Sequence, residues 1–151
     1  MYRTVPLIAQ RLGAALGTSW AIGHGNDYQE RLSLPRADVR LVGAGLESTQ
    51  GRAVRLRASY QIALVVEAGQ GDSAFAALDG AVAAVIAALH QWQPHGHMPA
   101  TARLELQGIG ESALFDAGVY GYDLTFALSV VRHGFDPQAP DPLAAHPAPT
   151  P

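Results

Sequence analysis

The 151-residue chain is 48% hydrophobic, carries a formal net charge of −3 and contains no cysteine. That hydrophobic share is enough to close one domain-sized core on packing alone, and the missing thiols exclude disulfides, thiolate metal sites and cysteine nucleophiles together. The negative balance argues against a protein that coats nucleic acid, which draws on a basic surface, and sequence-specific nucleic-acid binding is not expected.

Val5, Ile8, Leu12 and Leu16 recur at helical spacing and predict a helix over Thr4–Leu16, stopped by Gly17. Gln10 and Arg11 interrupt this stretch before a secretory signal core can form, so the expectation is a cytoplasmic protein. A short strand is predicted around Trp20–Ile22, followed by a long polar loop over Gly23–Pro35. Asp38–Leu46 and Arg52–Glu67 then read as a hairpin joined by the turn-like Glu47–Gly51. In the second strand Val54, Leu56, Ala58, Tyr60, Ile62, Leu64 and Val66 share one parity, which predicts a long strand with one buried face.

Asp72 or Ser73 is placed to cap a second helix running to about Trp92, with Pro94 beyond its end. Its core, Ala74–Leu89, is interrupted by Asp79 and Gly80 and falls short of the roughly 20 apolar residues that a bilayer span takes. Strands are predicted over Ala102–Gly108 and Gly118–Arg132, the latter with Tyr120, Tyr122, Leu124, Phe126, Leu128 and Val130 on one face. Six prolines after Gly134 leave no room for a core, so residues 1–133 form a single α+β domain and 134–151 a disordered tail. The order α-β-β-β-α-β-β predicts a mostly antiparallel sheet with both helices packed on its apolar face.

Catalytic patterns are sparse. His90, His95 and His97 are neutral-imidazole donors that can converge on zinc, which would support a small metal-dependent hydrolase, with Glu105 or Glu111 as further ligands. Their spacing fits solvated loop histidines as well, so no metal or other cofactor is expected. Gly43 and Gly45 mimic the opening of a dinucleotide fingerprint, but Ser48 holds the third glycine position and no helix follows. His24, Asp27 and Glu30, with Ser19 or Ser33, lack any nucleophile–base–orienter pattern.

The second helix is informative on both sides. Phe75, Leu78, Val82, Val85, Ile86 and Leu89 form the stripe expected to cover the sheet. The opposite side, Ala76, Ala77, Gly80, Ala83, Ala84 and Ala87, is almost uncharged and permits close approach of another helix, from the same chain or a neighbouring copy. Alanine's helix propensity accounts for the same face without a partner. Charge is uneven: residues 1–67 hold eight arginines and five acids, the remainder two arginines and eight acids. Complementary halves favour head-to-tail contact between copies.

The N-terminal helix Thr4–Leu16, the helix ending Leu89-His90-Gln91-Trp92-Gln93-Pro94 and the closing strand Tyr122-Asp123-Leu124-Thr125-Phe126-Ala127-Leu128 resemble those of tail terminator and tail-completion proteins of long-tailed bacteriophages and Mu-like prophages. The resemblance covers about residues 4 to 133. It implies a non-enzymatic virion subunit, assembled in the host cytoplasm, that forms a ring, commonly of six copies, on the tail. Its implied partners are copies of itself, the tail tube protein and the head–tail connector. Read from the residues themselves, the candidate contact surfaces are Arg52, Arg55 and Arg57 on the polar parity of the long strand, and Ala76, Gly80, Ala83, Ala84 and Ala87 on the second helix. A monomeric binding or adaptor domain is the remaining alternative. Removing Phe135–Pro151 is expected to leave the fold intact, moving the thermal midpoint by no more than the few degrees equivalent to about 1 kcal/mol. A larger drop in a melting experiment would show that the segment is docked.

Overall fold

The computed structural model describes residues 1, 3–24, 34–96, 102–111 and 118–133. Helix α1 (Thr4–Leu16) forms where the spacing places it, burying Val5, Ile8, Ala9 and Leu12. It ends at Gly17, whose φ of 73° lies in the left-handed region that glycine tolerates and whose N–H bonds the Gly13 carbonyl at 3.1 Å. Five strands follow the predicted order: β1 (Ala21–His24), β2 (Arg36–Gln50), β3 (Ala53–Glu67), then α2 (Asp72–Leu89), β4 (Glu105–Glu111) and β5 (Val119–His133). A single 3-10 turn, Ala68–Gln70, leads from β3 into α2.

The sheet runs β1-β2-β3-β5-β4, with β1 parallel to β2 and every other pair antiparallel. Helix α1 lies against β1 and β2, while α2 lies against α1, β3 and β5. The core fills the space between: Ile8 and Leu12 from α1, Leu78, Val85 and Leu89 from α2, and Tyr60, Ile62, Leu64, Leu124, Phe126 and Leu128 from the sheet. Both predicted parities of β3 and β5 therefore hold. By length and composition alone α2 is apolar enough to cross a membrane. Its buried stripe gives that apolarity a use in the core.

Three expectations are corrected. Helix α2 stops at Leu89 rather than Trp92, because Gln91 takes a φ of 63° and the chain turns to pair its backbone with Leu104, through Gln91 N–H to Leu104 O at 2.7 Å and Leu104 N–H to Trp92 O at 2.9 Å. Gly71, not Asp72 or Ser73, occupies the N-cap, and no side chain caps the helix. Strand β2 continues to Gln50 through bulges at Leu41/Gly43 and Leu46/Ser48, so the hairpin turn is only Gly51-Arg52 and Arg52 lies off the strand.

The parallel β1–β2 pair requires one close approach. Asp38 and Arg36 form an ion pair directly over Gly23, where any Cβ would collide with both side chains. The longest strands have 15 residues and span about 50 Å. Helices of 13 and 18 residues reach only about 20 and 27 Å. The sheet thus outruns its helical cover: every residue of β2 from Val42 to Gln50 is exposed, Leu46 at 67% and Val42 at 61%. Leu124, under the helices, is at 0%. Leu124→Ala should therefore cost about 2–5 kcal/mol in urea unfolding, whereas Leu46→Ala should change stability by no more than about 0.5 kcal/mol. Equal losses would contradict this division between covered core and bare strand.

Candidate functional site

Past Tyr60 the sheet continues as an arm built from Ala44–Gln50 of β2, Ala53–Ala58 of β3 and Leu128–His133 of β5, which lie side by side in register; the β2 residues are exposed, while Ala58, Leu128 and Val130 stay buried. A polar cluster lies on its helix side. The fully buried Tyr60 donates its hydroxyl to the Met1 carbonyl at 3.2 Å, and the buried Thr4 hydroxyl lies 3.1 Å from His95 Nε2. Burial pushes the Tyr60 phenol above its usual range, while a hydrogen bond from Thr4 and the charge of Arg132 pull the other way. Burial, then Arg132 and Arg3, push the N-terminal amine down.

The helix-free side is polar and tied by cross-strand pairs. Arg57 reaches over β5 to Gln107 Oε1 at 2.9 Å and Glu105 Oε2 at 3.4 Å on β4, and back to Glu47 Oε1 at 3.8 Å on β2. It crosses β5 where the side chains are small, at Ala127 and Ser129. Arg40 donates to Gln61 Oε1 at 2.6 Å. These contacts are solvent-exposed and each contributes no more than about 1 kcal/mol. Asp123 shares a cross-strand row with Gly23, Asp38, Ala63 and Gly110. Its Oδ1 is buried with no hydrogen-bond partner among the described residues.

Of the three arginines singled out in the sequence, Arg57 is engaged within the chain, Arg55 is exposed on the helix-free side of β3, and Arg52 sits in the turn rather than on the polar parity of the strand. On α2, Ala76, Gly80, Ala83 and Ala87 are exposed and Ala84 is half-buried, so α1 packs beside this face without covering it. Phe75, expected in the core stripe, is 46% exposed and packs its ring against Tyr120, centroids 5.1 Å apart. At the other end of α2, Arg11 bonds the Ala88 carbonyl at 2.6 Å and lies 4.7 Å from the centre of the Trp92 ring.

The histidines go separate ways. His90 Nδ1 accepts the Leu106 N–H at 3.3 Å, His95 pairs with Thr4, and His97 lies outside the described residues. No three His, Cys, Asp or Glu side chains among the described residues are grouped to hold a metal ion. Asp27, Glu30 and Ser33 also lie outside them, and Gly43 and Gly45 fall within β2 with no helix following. The partners of Arg57 escaped sequence reasoning, since nothing in the spacing of Glu47, Glu105 and Gln107 sets them beside one another. The alternation of β3, which puts Arg55 and Arg57 on its helix-free side, was the available signal.

No family model matches the sequence, and no curated protein matches it. Among solved structures, a chain of one described as "Virion of native gene transfer agent (GTA) particle" is similar, with a TM-score of 0.53 at 19% identity over 83% of this chain and 92% of that chain. The two share a fold.

Tyr60 links the core to alkaline stability. Its folded pKa lies above the ordinary value of about 10, so its contribution is intact below that value and is lost as pH rises through the folded pKa. Tyr60→Phe should cost about 0.5–1.5 kcal/mol at neutral pH through the hydrogen bond to Met1. It should also lose less stability than wild type on going above about pH 10. Urea midpoints measured across that range check this; parallel pH profiles would contradict it.

Proposed function

We propose that the chain is a structural subunit of a phage-type virion, specifically a tail terminator whose copies form a ring, commonly of six, on the tail tube. The ring stops tube polymerisation and presents a surface to the head–tail connector. The observation that carries this reading is the exposed outer half of β2 on a fold shared with a chain of a virion particle. An isolated domain gains nothing from extending a sheet beyond its helices with Val42 and Leu46 in water. A subunit that meets neighbours does.

The site chemistry supports binding over catalysis. The described polar groups pair to hold strands together, as Arg57 does with Glu47 and Glu105, and the Thr4 hydroxyl that meets His95 Nε2 is itself buried, out of reach of a substrate in solution. The arm also carries Arg52, Arg55 and Arg132, while the second half of the chain is acidic, which suits contact between unlike surfaces of successive copies.

Light scattering over a concentration series, with and without tail tube protein, tests the reading. Wild type should reach a defined multiple of its monomer mass, and added salt should weaken the assembly. Arg52→Glu with Arg55→Glu should reduce assembly while leaving the monomer folded. Wild type that stays monomeric under both conditions would contradict the ring. Assembly indifferent to the double substitution would remove these arginines from the contact and leave the small-residue side of α2 as its candidate.

A further inference from the structure

We infer that neighbouring copies join by strand addition, the outer edge of β2 in one copy pairing in parallel with the outer edge of β5 in the next; this rests on the ring reading above. Strand β1 pairs with β2 only over Arg36–Val39, so among the described residues Arg40–Gln50 has no strand on its outer side. Strand β4 pairs with β5 only over Tyr122–Ala127, which among the described residues leaves Leu128–His133 without a strand on the opposite side. Among the described residues no backbone hydrogen bond runs from either stretch to anything outside the sheet. Each edge offers N–H and C=O groups on alternate residues, a template for another strand.

The two edges match each other. Ala44–Gln50 and Leu128–His133 flank the same stretch of β3, Ala53–Ala58, so they lie at one level on opposite sides of a three-stranded arm. Both strands are antiparallel to β3 and hence parallel to each other. A second copy in the same orientation therefore brings its β2 alongside β5 as the next strand of a continuous sheet. Each copy uses each edge once, which is a heterologous contact, and its closure into a ring covers these two open stretches in every copy.

Of the usual defences of a free edge, β2 carries two bulges and little else. Neither stretch contains proline, and the charges are Arg40 and Glu47 on β2 and Arg132 on β5. Val42 and Leu46 on β2 and Val131 on β5 supply exposed apolar surface to both sides of the junction. The bulges at Leu41/Gly43 and Leu46/Ser48 bend β2 and favour a curved sheet, as closure requires.

Hydrogen exchange of the assembled full-length protein against the dilute monomer tests the pairing. Amides in both Ala44–Gln50 and Leu128–His133 should slow by at least about tenfold on assembly, while Leu124–Ala127, already paired on both sides, should change little. Val42→Lys with Leu46→Lys, at positions already in water, should abolish assembly and leave the monomer's unfolding midpoint unchanged. A ring whose two edges exchange at monomer rates would overturn strand addition and leave the ring reading standing. Protection of β2 alone would indicate a two-fold β2–β2 contact and overturn the proposed pairing. A protein that never assembles would overturn both.

Discussion

The burial of one apolar sheet face beneath two helices is the constraint on which the structure turns, because the strands are nearly twice as long as the longer helix that covers them. Leu78, Val85 and Leu89 of α2 and Ile8 and Leu12 of α1 meet Ile62, Leu64, Leu124 and Phe126 and exhaust the helical cover. Beyond Tyr60 the helix side of β3 and β5 keeps Ala58, Leu128 and Val130 buried, beside a polar cluster of the Met1 carbonyl, Thr4 and His95. Strand β2 runs on beside them with every residue from Val42 to Gln50 exposed. That stretch of β2 is held only as an extension of a strand whose other half is in the core.

That extension is held from its helix-free side. Arg57 crosses the small side chains of β5 to reach β4 and turns back to Glu47 on β2, so one guanidinium touches side chains from both neighbouring regions of the sheet. Exposed contacts of this kind add little stability. They do fix the relative positions of the strands, and a stiff arm loses less entropy on meeting a partner than a floppy one. The same logic applies to Arg11, which joins α1 to the end of α2 through Ala88 and Trp92.

Much of this was legible in the residues because a one-sided sheet writes itself as alternation. The parity of Val54 to Val66 and of Tyr120 to Val130 identified the core faces of β3 and β5, and the spacing of Val5, Ile8 and Leu12 identified that of α1. Features that depend on partners distant in sequence were not legible. The end of α2 is set by backbone pairing with Leu104, which overrides the helical propensity of the residues beyond Leu89. The continuation of β2 to Gln50 depends on bulges that break its alternation, and Phe75 is drawn out of the stripe by Tyr120. The dual role of the long strands, core in one half and bare edge in the other, emerges only when helix and strand lengths are compared in ångströms.

The most direct measurement uses the absence of cysteine. Gly45→Cys has room for its side chain, Ser129→Cys is nearly isosteric, and the two positions lie in one cross-strand row on β2 and β5. A chain carrying Gly45→Cys and a chain carrying Ser129→Cys, mixed in equal amounts under assembling conditions, treated with a short bis-maleimide and separated under denaturing conditions, report which edges meet. The account predicts linked dimers from the mixture, with each variant alone remaining unlinked. Dimers from either variant alone, or no linkage in the mixture, would contradict the claim that each copy's open edge is completed by the opposite edge of the next.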